Sequence, residues 1–141
     1  MNKAKSHFDK VIELIKDLEV DWDDEGAEPI RDEVIDMTRE VFLALMDAWH
    51  GNMDIGNVSP LCDGSIDLYW ATRVSKNDLW CGPNLKKQLL LNISRKGGVF
   101  TIGCYGTMDA QDKKADVVSF HGDREFFMKY DLASLHRFHT N

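Results

Sequence analysis

The apolar pattern of this chain changes its period once, between Gly51 and Val58, and that change limits the fold more than any other feature. Over residues 3–19, Phe8, Val11, Ile12, Ile15 and Leu18 recur at three- and four-residue steps, which places them on one face of a helix. Gly26 and Pro29 interrupt the pattern. Ile30, Val34, Met37, Val41, Leu45 and Trp49 then align again, predicting a second helix over residues 30–49 with Asp32 and Glu33 in its first turn, where the helix dipole favours negative charge. Gly51 stands where the stop of that helix belongs.

From Val58 onward the repeat is two. Val58-Ser59-Pro60 approaches a turn at Cys62-Asp63-Gly64, after which Ile66, Leu68 and Trp70 alternate with Asp67, Tyr69 and Ala71, the pattern of a hairpin with one buried face. Residues 88–94 and 99–105 flank Arg95-Lys96-Gly97-Gly98 and predict a second hairpin, with glycines supplying positive φ at its turn. Residues 73–87 and 106–114 read as loops. Residues 117–120 and 125–129 read as one or two further strands around His121-Gly122-Asp123, with a single helix over residues 123–139 as the alternative that fits Phe126, Tyr130 and Ser134 less well. Asp131 is expected to cap a short final helix in which Leu132, Leu135 and Phe138 share a face. The expected fold is α+β in one domain over residues 1–141. Two N-terminal helices pack on an antiparallel sheet of about four to six strands, with a short C-terminal helix.

Charge is distributed unevenly along this pattern. Eleven of the 24 acidic residues fall within residues 17–40 against only Arg31 and Arg39, so this tract carries −9 and the rest of the chain +2, giving the net −7. At its centre, Trp22-Asp23-Asp24-Glu25-Gly26-Ala27-Glu28-Pro29 joins the two helices. Gly26 permits a sharp or left-handed turn, Pro29 fixes the entry to the second helix, and Trp22 either clamps the corner or is exposed for contact. The net charge disfavours direct binding to nucleic acid or an anionic membrane, both of which need clustered Lys and Arg. A basic protein surface is the electrostatic match. With no run of 18 apolar residues and an odd count of three cysteines, the chain reads as a cytoplasmic protein with reduced thiols.

Trp22-Asp23-x-x-Gly26-Ala27-x-Pro29-Ile30, followed by Pro60-x-x-Asp63-Gly64-Ser65-Ile66-x-Leu68-x-Trp70, resembles a group of small, uncharacterised bacterial proteins that carry a W-D-G-x-G-A-x-P motif. The resemblance covers residues 18–105. Asp24 stands where that group has glycine, and residues 73–83 look like an insertion. What the resemblance implies is an α+β domain; it carries no activity, cofactor or partner.

Motifs that carry chemistry are weak. Asp21, Asp23, Glu25 and Gly26 match positions 1, 3, 5 and 6 of a calcium loop, but Glu28, Pro29 and Asp32 break the remainder. Trp80-Cys81-Gly82-Pro83 reproduces the start of a thioredoxin-type motif, yet Asn84 replaces its second cysteine. Cys62, Cys81, Cys104, His50 and His121 lack paired-ligand spacing, and His136-x-x-His139 offers two ligands near the end of the sequence. The sequence therefore assigns no catalytic residue, metal or cofactor. The expected function is a non-enzymatic interaction or inhibitor-type protein that presents an acidic helix–turn–helix surface to a basic partner. Nucleic-acid mimicry in a defence or mobile-element setting is one form of it. The expected contact residues are Asp21, Trp22, Asp23, Asp24, Glu25, Glu28 and Trp80. The alternative is a ligand-binding protein or enzyme with a pocket between sheet and helices, lined by Cys81, Tyr69, Trp70 and His121.

Overall fold

A computed structural model describes residues 3–51, 53, 56–73, 85–108 and 116–139. Helix α1 (Lys3–Lys16) buries Phe8, Ile12 and Ile15, and helix α2 (Asp32–Ala48) buries Val34, Met37, Val41 and Leu45. These are the residues the helical period selects. Phe8 of α1 stacks on Phe42 of α2 at 4.0 Å between ring centroids and so locks the pair. Thr38 is wholly buried in α2, and its hydroxyl donates to Val34 O at 2.8 Å, so no polar group is stranded there.

Both helices are shorter than their apolar stripes. The expected second helix begins at Ile30, but Arg31 is extended at φ −70°, ψ 148°, and the helix starts at Asp32. Ile30 is buried from outside the helix. At the other end Gly51, at φ 73°, donates its N–H to Met46 O at 2.7 Å, a left-handed cap that satisfies an orphan carbonyl.

The sheet is fully antiparallel, with five strands in the order β1 (Asn57–Pro60), β2 (Ile66–Arg73), β3 (Leu85–Lys96), β4 (Val99–Met108) and β5 (Asp116–Gly122). Ile66, Leu68, Trp70, Leu89, Leu91, Ile93, Ile102 and Cys104 alternate onto one face and are buried beneath the helices. Asp67, Tyr69, Gln88, Leu90, Asn92, Tyr105, Ser119 and His121 alternate onto the other. Strand β3 starts at Leu85, inside the segment expected to be a loop, because Arg73 and Thr72 of β2 still pair with Leu85 and Lys87 across a register shift. Strand β4 likewise extends through Gly106–Met108, opposite Lys87–Leu89.

The C-terminal part differs most from expectation. Residues 125–129 are not a strand; they form helix α3 (Arg124–Lys129), which Asp123 caps by accepting the Phe126 N–H at 2.9 Å. The expected cap, Asp131, makes no side-chain cap bond, and a 3₁₀ turn over Leu132–Leu135 runs into helix α4 (His136–His139). Leu132, Leu135 and Phe138 are buried together as expected. The Trp49 indole N–H donates to Leu132 O at 2.8 Å, tying the end of α2 to this segment. Among the described residues no helix is long and apolar enough to cross a membrane.

Candidate functional site

The corner between α1 and α2 is built from its own acids. Asp21 and Asp24 have left-handed φ values of 63° and 62°, and Gly26 has 84°. Asp tolerates this region because its short carboxylate can bond local amides. Asp21 does so, its Oδ1 accepting the Gly26 N–H; Asp23, outside that region, adds a second set, its Oδ1 accepting the N–H groups of Glu25 and Ala27 at 2.8 and 3.0 Å. The Asp21 N–H donates to Ala27 O at 2.7 Å and closes the loop at its base. Across it, the Trp22 indole N–H donates to Glu28 O at 2.7 Å, while the ring itself is half-buried. Trp22 is therefore a clamp.

These bonds sort the expected contact residues. Asp21 and Asp23 each use Oδ1 to accept backbone N–H groups, and among the described residues no group of three or more His, Cys, Asp or Glu side chains is placed to hold a cation. Asp24, Glu25 and Glu28 are exposed and, among the described residues, make no ion pair. Trp80 lies outside the described residues, as do Cys81, Gly82 and Pro83.

Along α2 the acids of the same tract are largely answered by arginines. Glu33 pairs with Arg95 at 2.8 Å, Asp36 with Arg39 at 3.7 Å, and Glu40 with Arg124. Arg39 also reaches Glu13 of α1 at 3.6 Å. Among the described residues the acids of the tract without such a partner run over residues 17–32, with the corner at their centre. Two side chains that the apolar stripe omits are open to solvent, Leu14 in the last turn of α1 at 70% exposed and Val20, next to the corner in sequence, at 73%.

A second turn docks on this corner. The Glu28 N–H donates to Cys62 O at 3.1 Å, and the Glu28 carboxylate lies over Gly64, 3.6 Å from where a Cβ would stand. The two sequence segments around Trp22 and Asp63 therefore meet in space. The β1–β2 turn is held by Asp63 Oδ1, which accepts the Ser65 hydroxyl at 2.6 Å and the Ser65 N–H at 3.0 Å. Asn92 of β3 donates to Ser65 Oγ at 3.1 Å and to Asp67 Oδ1 at 2.7 Å. The Ser65 hydroxyl bond, with its backbone bond and nearby Lys96 adding to it, holds the Asp63 carboxyl below the ordinary carboxylate value against the opposing effect of burial. Between corner, turn and β3–β4 hairpin lies an open cleft of about 220 Å³, lined in part by Glu28, Arg31, Asp63 and Arg95.

Among the described residues of the alternative pocket, Tyr69, Trp70 and His121 do not converge. Tyr69 and Trp70 are consecutive in β2 and project from opposite faces, with Trp70 buried against Trp49 and His121 exposed on the outer face. Cys62 is exposed in the β1–β2 turn, whereas Cys104 is buried in β4 and burial pushes its thiol up to about 12. The His136 ring sits 5.4 Å from that of Trp49. Among the described residues no group of three or more His, Cys, Asp or Glu side chains is placed to hold a metal ion. Comparison with protein-family models, with curated proteins and with solved structures yields no match to this chain.

Proposed function

We propose that this chain is a non-enzymatic, cytoplasmic protein-binding module that engages a basic protein surface through the corner between α1 and α2. A nucleic-acid-binding groove, in which carboxylates replace phosphates, is the partner class that fits this charge best. One observation carries the reading. Internal hydrogen bonds from Asp21, Asp23 and Trp22 fix the loop, while Asp24, Glu25 and Glu28 stay exposed and unanswered. A rigid support loses little conformational entropy on association, so the outward carboxylates are preorganised. Their charge speeds encounter, and Val20 and Leu14 supply the apolar contact that affinity requires.

The ligand-binding alternative draws support from the cleft beside Asp63. Its volume of about 220 Å³ falls below the ~300 Å³ at which small-molecule sites begin, and it is open rather than enclosing. It therefore ranks second. To test the first reading, the tagged chain is used to capture partners from its native cell lysate at low salt and at ~0.5 M salt, where the Debye length drops well below 10 Å. A bound basic protein released by salt, lost with Glu25→Lys/Glu28→Lys and retained with Asp36→Lys, is the expected result. Retention by the Glu25→Lys/Glu28→Lys variant would remove the corner from the interface.

A further inference from the structure

We infer that two copies of this chain associate through the outer edge of β5, pairing the strand antiparallel with itself to continue the sheet across a two-fold axis. This surface is separate from the acidic corner, and the inference stands without it.

The two edges of the sheet are unlike each other. Strand β1 is four residues long and ends in Pro60, which has no N–H to donate, so that edge is blunted in the usual way. Strand β5 is seven residues, Asp-Val-Val-Ser-Phe-His-Gly, with no proline and no lysine, and among the described residues nothing pairs with its outer side. Half of the backbone N–H and C=O groups of such a strand point away from β4. Apolar side chains flank those groups on both faces. Val117 is 51% exposed on the outer face, and Phe126 of α3 is 47% exposed on the helix side. Phe126 lies directly over the end of the strand: a Cβ on Gly122 would come within 2.7 Å of its ring, and that ring sits 5.7 Å from Phe120.

The occupant follows from the order of residues along the strand. An antiparallel pairing centred on Ser119 sets Val118 opposite the partner's Phe120 on the helix side, an aliphatic–aromatic pair made twice by symmetry. On the outer face it sets Val117 opposite the partner's His121. Neither face brings like charges together. In that register Gly122, over which Phe126 lies, stands opposite the partner's Asp116, next along that face from the Phe120–Val118 pair. Charge permits the approach as well. The charged groups around β5 are of both signs, with Arg124 paired to Glu40, and Asp116, the one charged residue of the strand, faces the partner's Gly122 in this register; the acidic corner docks on the β1–β2 turn. Strand β2 is three strand spacings from β5, about 14 Å, beyond the screening length of about 8–10 Å at physiological salt.

The test is molar mass by light scattering on the full chain across a dilution series up to about 0.5 mM, since association obeys mass action. The expected mass rises to twice 16.1 kDa. Ser119→Lys places two ammonium groups face to face across the axis and is expected to weaken association at least about tenfold, with unchanged circular dichroism because Ser119 is exposed. Ser119→Glu behaves the same way, and an equimolar mixture of the two variants restores the doubled mass. Val99→Lys, at an exposed site on the β3–β4 hairpin, leaves the dimer intact. A wild-type mass of 16.1 kDa throughout the series would overturn the inference. So would a dimer that survives Ser119→Lys, or two monomeric charge variants that fail to pair when mixed.

Discussion

Trp22 illustrates how one side chain sets the shape of a surface it scarcely contributes to. Its N–H bond to Glu28 O spans the corner, so Trp22→Phe removes that bond together with part of the half-buried ring. The expected cost is about 1 kcal/mol in urea unfolding, with faster amide exchange at Gly26 and Ala27. Ser65 plays the corresponding part in the neighbouring turn. Ser65→Ala removes the largest influence on Asp63, and the carboxyl should titrate closer to its ordinary value of 3.8 in a carbon-13 NMR series. The sign is fixed by linkage. A depressed carboxyl stabilises the fold above its unfolded value, and that contribution is lost as pH falls through the folded value, so the variant should show a shallower acid limb. Trp22 as clamp was legible from its place between a helix end and Gly26-x-x-Pro29. The inward turn of Asp21 and Asp23 was not, because sequence gives a carboxylate's charge and not its direction. Leu14 and Val20 were overlooked although a signal existed: both lie off the stripe formed by Phe8, Val11, Ile12, Ile15 and Leu18.

At the scale of elements, the ends were harder to read than the interiors. Helix α3 is a six-residue segment whose Phe126 and Phe127 gave it the look of a strand. Phe127 is fully buried and Phe126 only half so, and the Asp123 cap satisfies the first turn, which decides for helix. Asp123→Ala should therefore destabilise the chain by about 1 kcal/mol in urea unfolding, whereas Asp131→Ala, which removes no cap bond, should leave the midpoint nearly unchanged. Strand β3 likewise outran its sequence pattern at Leu85. Its length is set by the strands on either side, because a ladder continues as long as both partners offer backbone groups.

For the whole molecule, the decisive property is that charge and core are placed independently. The unanswered acids crowd one corner, so added salt should stabilise the fold by screening their repulsion, raising Tm by a few °C between about 0.01 and 0.15 M. A Tm that falls over this range would mean that the ion pairs on α2 outweigh the repulsion. At the alkaline end Cys104 contributes. Its thiol is held at about 12 against an ordinary value of 9.0, so the unfolded chain ionises first; stability is full below 9.0 and is lost as pH rises towards 12. Cys104→Ala should flatten that decline relative to wild type in urea titrations, even though it costs core packing.

The sequence by itself determined the switch from a helical to an alternating period, the buried faces of α1, α2 and β2 and both hairpins, because these depend on neighbours within a few positions along the chain. Only the tertiary structure decided which acids remain available. Glu33 and Glu40 are answered by Arg95 and Arg124, 62 and 84 positions away. The corner rests on a turn that local periodicity does not connect to it. Charge composition is a sum over the chain, whereas an exposed pole depends on which surfaces the fold brings within a few ångströms of one another.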